Sequence, residues 1–157
     1  MKLSNGDKAP DFSIFDTEKR QVNLTDYKGK NVVLLFFPFA FTSVCTTELC
    51  GIRDDISYYN GLNAVVFGIS VDAPFSLKKF KEEQNLGFEI LSDFNKEVSS
   101  IYGTIYDTFT NMNLRGVSKR SAFVIDKEGI IRYAEVLEDA SHIPDIKKIK
   151  EILKDIS

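Results

Sequence analysis

The chain is sparing with the residues that usually advertise chemistry: two cysteines, one histidine and four prolines in 157 residues. A zinc site needs about four ligands, and two thiols with the single distant His142 offer no cluster at ligand spacing. The two cysteines do not form a C-x-x-C pair, since four residues separate them, so the dithiol-exchange arrangement is missing too. An excess of positive charge is also absent. With 20 basic and 23 acidic residues and a net charge of −3, there is no electrostatic footprint for nucleic acid or an anionic membrane. The lysines of IKKIKEILKD alternate with isoleucines and acids at helical spacing, as a solvated helix face does. No stretch is long and apolar enough to span a bilayer, and MKLSNGDKAPDF lacks the apolar centre of a secretory signal, so a cytoplasmic setting is expected. There a stable structural disulfide is disfavoured, and paired cysteines more often do chemistry.

What is present is core material. Hydrophobic residues make up 43% of the chain, and no repeat, low-complexity tract or linker divides it, so one domain over residues 1–157 is expected. DFSIFDTEKRQVNL alternates around a polar turn and reads as a small N-terminal hairpin. NVVLLFF is apolar throughout and rich in β-branched and aromatic residues, which suits a central strand covered on both faces and ended by Pro38. A helix is expected from Thr42 or Ser43, with Leu49, Ile52, Ile56 and Tyr59 on its buried stripe, Gly51 interrupting it and Gly61 ending it. AVVFGIS is a second strand. Asp72 and Pro74 mark the start of a helix through SLKKFKEEQ, and FEILSD and NKEVSSIYG read as a short strand and a short helix. SAFVID and IIRYAEVL pair across KEG, where Gly129 supplies a positive φ. The last segment is an amphipathic helix with Pro144 near its first turn and Ile146, Ile149, Leu153 and Ile156 along one side. The order predicts an α/β thioredoxin-like fold, a central mixed sheet flanked by helices with an N-terminal hairpin extension.

Both cysteines lie in PFAFTSVCTTELC. Cys45 falls within the first turn or so of the expected helix, where backbone N–H groups lack intrahelical acceptors and the helix dipole favours an anion. Such a place lowers a thiol's pKa from about 8.5 toward neutrality. Thr42, three residues upstream, can cap the helix, and its hydroxyl can also face a small molecule beside the sulfur. Cys50 is five residues beyond Cys45; on a continuous helix that is an advance of about 7.5 Å and a rotation of about 140° past a full turn. Disulfide geometry wants Cα atoms within about 7 Å and facing each other, so a bond between the two demands that the first turns unwind. Thr46, Thr47 and Gly51 make unwinding less costly. Two inert, buried packing residues are the alternative.

The spacing of Pro38, Thr42 and Cys45, P-x-x-x-T-x-x-C after a buried strand, resembles the active-site signature of the peroxiredoxins. GDKAPDF, NVVLLFF and SAFVIDKEGIIRY resemble the family's order, so the likeness covers nearly the whole chain. C-T-x-E-x-C resembles the bacterioferritin-comigratory-protein and peroxiredoxin Q subgroup, and PFAFT also resembles the AhpE-like one. The resemblance implies a peroxidatic Cys45, a resolving Cys50, a peroxide contact from Thr42 and shielding by Pro38. It further implies a thiolate-supporting arginine just before a late strand: Arg120 matches, with Arg115 a nearby competitor. Glu48 is either part of the local polar network or a first-turn acid. His142 has no spacing that implies catalysis.

On this resemblance the activity is reduction of hydrogen peroxide and organic hydroperoxides through a Cys45 sulfenic acid. Capture by Cys50 follows, and then recycling by thioredoxin or a similar dithiol reductant. The sulfur carries the redox change, so no flavin, haem or metal is implied, and the chain would act as a monomer or homodimer. The alternative is a thioredoxin-like redox sensor or binding protein whose oxidised helix is read by a partner.

Overall fold

The computed structural model describes residues 2–157 and centres on one seven-stranded sheet in the order β2-β1-β5-β4-β3-β6-β7. The strands are β1 (Ser13–Asp16), β2 (Gln21–Asn23), β3 (Asn31–Phe36), β4 (Ala64–Ser70), β5 (Glu89–Ser92), β6 (Ser121–Ile125) and β7 (Ile131–Val136). The helices are α1 (Ser43–Asp54), α2 (Ile56–Gly61), α3 (Pro74–Gln84), α4 (Glu97–Ile101) and α5 (Ile146–Ile156). A single 3₁₀ turn, Leu24–Tyr27, leads into β3.

β3 sits in the middle because every one of its residues is buried. It runs parallel to β4, Asn31 opposite Ala64 through Phe36 opposite Ile69, and antiparallel to β6, Val32 opposite Ile125 through Phe36 opposite Ser121. The two-residue period of a strand sends alternate side chains to opposite faces. Val33 and Leu35, with Phe37 beyond the strand end, join Leu49 and Ile52 of α1, Tyr59 of α2, Leu77 and Phe80 of α3 and Ile149 and Leu153 of α5. Val32, Leu34 and Phe36 face the other way, onto Phe12, Val98, Tyr102 and Phe123. Each such side chain contributes about 1.5–3 kcal/mol by leaving water. Helices therefore cover both faces of a mixed sheet, as the element order predicts.

Packing overrides local propensity in three places. The α1/α2 stripe is continuous, but the break falls at Asp55 (φ −108°, ψ 13°) and not at Gly51, which is helical. Asp72 does not cap α3: Ala73 is the cap, Pro74 opens the helix, and the Asp72 carboxylate is engaged elsewhere. The last helix starts after Pro144, capped by Asp145, whose carboxylate accepts from the Lys148 N–H at 3.1 Å. The hairpin is as expected and extends the sheet, because β1 pairs with both β2 and β5. Gly129 holds φ 84° in the turn between β6 and β7. Gly68 in β4 is needed for a different reason: a Cβ there would lie 2.8 Å from the Ile90 side chain and 3.3 Å from that of Phe37.

Candidate active site

The segment between β3 and α1 reverses the chain at the end of the central strand. Pro38 is buried and lacks the N–H a further ladder bond would need. Phe41 then takes φ 69°, a left-handed conformation that is costly for a bulky aromatic residue. Its neighbours hold it there. The Phe41 ring stands edge-on to Phe80 at 5.3 Å, and the Ala40 N–H donates to Asp72 at 2.8 Å. The same Asp72 oxygen accepts from the Ser70 hydroxyl at 2.7 Å. Burial holds the Asp72 carboxyl above the usual carboxylate range, against the two bonds that favour its charge. A carboxylate at the end of β4 thus ties down the turn before α1.

Thr42 is the N-cap by position, with extended backbone (φ −92°, ψ 152°), but its side chain makes no capping bond. The hydroxyl instead donates to the Phe39 carbonyl at 3.2 Å, leaving its own lone pairs free to accept. Phe39 lies edge-on to Phe109 at 5.9 Å, and Phe109 stacks on Tyr106 at 5.3 Å. An aromatic rim therefore flanks the helix start, with Thr42 and Phe41 exposed within it.

Cys45 is the third helical residue, within the turn whose N–H groups have no intrahelical acceptors. It has no exposed surface. The stripe that carries Leu49 and Ile52 into the core carries Cys45 with it. Glu48, one turn further along the same helix, is also buried, and its Oε1 accepts from Arg120 Nη1 at 2.8 Å. Its Oε2 has no hydrogen-bond partner. Burial, against the opposing influence of Arg120, raises the Glu48 carboxyl to about 7.

Arg120 immediately precedes β6 and is 2% exposed. Its Nε donates to the Ala140 carbonyl at 3.0 Å, which aims the planar fork across the helix start. Burial acts against its charge, yet the neighbouring Cys45 sulfur and Glu48 carboxylate outweigh this and hold the guanidinium above its ordinary range. Arg115, by contrast, is exposed. His142 is an exposed residue 3.9 Å from Asp139.

Cys50 is half-buried on the same helix, and both thiols are free. Its Sγ donates to Gln84 Oε1 at 3.4 Å, and Arg53 Nη1 donates to the Gln84 carbonyl at 2.7 Å, so the later turns of α1 are tied to the end of α3. In the first turns, Thr46 and Thr47 hydroxyls bond back to the carbonyls of Thr42 and Ser43 at 2.8 and 3.0 Å. Such back-bonding slightly destabilises a helix.

The geometry brings Pro38, Thr42, Cys45, Glu48 and Arg120 to one end of the central strands and leaves Cys50 further along α1. Asp72, Tyr106 and Phe109 escaped the sequence reading. An acid just past the end of an apolar strand was a signal for Asp72, but it reads equally as a helix start; the aromatics carried none. Among the described residues no group of three or more His, Cys, Asp or Glu side chains could hold a metal ion, and no helix is long and apolar enough to cross a membrane.

The model of the AhpC/TSA family matches residues 5–134. The chain is 38% identical over 132 residues to the peroxiredoxin Bcp of Escherichia coli K12, covering 83% of this chain and 84% of that one. The crystal structure of peroxidoxin BcpB from Mycobacterium tuberculosis superposes with a TM-score of 0.85 at 28% identity, covering 99% of both chains. A peroxiredoxin Q variant from Xylella fastidiosa gives 0.88 over 99% and 98%; at 22% identity it bears on the fold alone. Together with a cysteine and a guanidinium buried at one helix start, these matches establish that the chain belongs to the AhpC/TSA family, the peroxiredoxins, which are thiol peroxidases of thioredoxin-like fold.

Proposed function

We propose that the protein reduces hydroperoxides through Cys45 and is recycled by way of a Cys45–Cys50 disulfide. The observation that carries the reading is the Cys45 sulfur beside the buried guanidinium of Arg120, within the first turn of α1. The thiolate attacks the terminal peroxide oxygen; the O–O bond breaks, the sulfur becomes sulfenic acid, and water or an alcohol leaves. Arg120 and the helix-start N–H groups act by binding charge that grows on the oxygens more tightly than they bind neutral peroxide. Thr42, whose hydroxyl already donates to Phe39, accepts from the peroxide O–H. Because Cys45 has no exposed area, the peroxide is admitted by displacement of the exposed Phe41–Thr42 turn.

Resolution needs a second movement. α1 is continuous from Ser43 to Asp54, so Cys50 reaches the sulfenic sulfur only when the first turns unwind. Attack by Cys50 then releases water and forms the disulfide, and a dithiol such as thioredoxin restores both thiols by exchange. This makes the protein an atypical two-cysteine, thioredoxin-dependent peroxidase of the cytoplasm. The deciding experiment is stopped-flow oxidation of wild type, C45S and C50S with mass analysis of the products. The reading requires fast sulfenic acid formation in wild type and C50S, none in C45S, and a disulfide only in wild type. Full thioredoxin-dependent turnover by C50S would remove the resolving role.

A further inference from the structure

Cys45 and Glu48 stand one helical turn apart on the inward side of α1, and both meet the single guanidinium of Arg120. If both acids are ionised, the cluster holds two negative charges against one positive. If either keeps its proton, the cluster is neutral. The difference matters because all three side chains are removed from water: Glu48 is 0% and Arg120 2% exposed at the side chain, and Cys45 0%. Among the described residues Arg120 is the one cation acting on Glu48. The remaining charged group facing Glu48 is Glu135 of β7, which adds to the negative side; its carboxylate already accepts from the Tyr133 hydroxyl and the Asp145 N–H. Next to Arg120 lies the Tyr106 ring, whose hydroxyl donates to the Leu137 carbonyl. Glu48 Oε2, buried and without a partner, is where a carboxyl proton can sit without losing a hydrogen bond.

We infer that Glu48 is a positioning residue for the charge of Cys45: carboxyl and thiol share one proton and one guanidinium, so that ionisation of either holds the other in its protonated form. Burial raises the Glu48 carboxyl to about 7, so the proton is available near neutral pH. Coupled acids of this kind lose their protons in two steps that belong to the pair. The inference rests on the peroxidatic reading of Cys45 for its consequence in the reaction. When the thiolate gives its electron pair to the peroxide, sulfur becomes neutral sulfenic acid and the negative charge leaves with the alkoxide. Arg120 then faces Glu48 alone, and Glu48 ionises. Thiolate, hydroperoxide and carboxylic acid become sulfenic acid, alcohol and carboxylate, so the proton given up by Glu48 balances the one the alkoxide takes up.

The test is a pair of titrations. In the C50S background, where Cys45 is the remaining thiol, ultraviolet thiolate absorbance against pH is expected to rise in two steps. In C50S with Glu48→Gln it should rise in one, with a midpoint lower by on the order of one pH unit. Conversely, the Glu48 carboxyl followed by carbon-13 nuclear magnetic resonance should titrate lower by a similar amount in C45S than in C50S. If E48Q does not fold, the carboxyl titration decides alone. Superimposable thiolate curves with a folded E48Q, or a Glu48 titration unmoved by C45S, would overturn the inference. Neither measurement uses peroxide, so a chain that shows the coupling but consumes no hydroperoxide loses the proposed function and keeps this inference.

Discussion

The first turn and the middle of α1 hold the same functional group in opposite surroundings. Cys45 is sealed in the core beside an arginine and an acid, at a helix start that favours negative charge. Cys50 is half-buried, with a weak sulfur–amide bond to Gln84 as its partner. The comparison separates two requirements that a single thiol would find hard to meet. Ionisation needs fixed donors and little water, whereas capture of a distant sulfur needs a side chain that can leave its place. On the proposed reading one helix provides both, with unwinding of the turns between them as the link.

Cys45→Ser removes the sealed member of this comparison and should abolish peroxide reduction, measured as consumption under single-turnover conditions. Arg120→Met keeps the sulfur but removes its cation; the expected loss is about 10²–10³-fold in the first oxidation step. It also leaves Glu48 buried without a counter-ion, and should cost about 3–5 kcal/mol in urea unfolding, less whatever protonation of Glu48 recovers. Cys50→Ser breaks the other side: oxidation of Cys45 should be unchanged, while thioredoxin-dependent turnover is lost and sulfenic acid accumulates.

A smaller effect sharpens the contrast through pH. The folded-state pKa of Glu48 lies at about 7, above its ordinary 4.5, so the folded protein binds this proton more tightly than the unfolded one. The stability this contributes is full below about pH 4.5 and is lost as pH rises through about 7, by on the order of 3 kcal/mol. Denaturant midpoints across this range should therefore fall more steeply in wild type than in E48Q. The smallest change expected concerns the more loosely held thiol. Gln84→Ala removes the Cys50 bond, worth about 1 kcal/mol at most, and should speed disulfide formation a few-fold without altering the first oxidation. A slower disulfide step in that variant would show that Gln84 presents Cys50 for attack.

Much of this was legible in residue order. NVVLLFF suited a covered strand, the helix signals near Thr42 put Cys45 in a first helical turn, and the family resemblance pointed to Arg120 just before SAFVID, with Arg115 as a competitor. What the sequence could not convey was set by contacts between distant segments. Glycine's low helix propensity pointed to a break at Gly51, but burial of Ile52 carries α1 past it to Asp55. Asp72 read as a helix start, because its true partner, the Ala40 N–H, is 32 residues earlier. The burial of Cys45 was illegible for the same reason: it depends on a core cluster gathered from several strands and helices and on Arg120 from the start of β6.

Gln84 receives both Cys50 and Arg53, through its side chain and its carbonyl respectively, and the chain turns left-handed at Asn85 directly afterwards. In the proposed disulfide step Cys50 must let go of Gln84 Oε1, so the end of α3 loses that tie to α1 while Arg53 keeps the other.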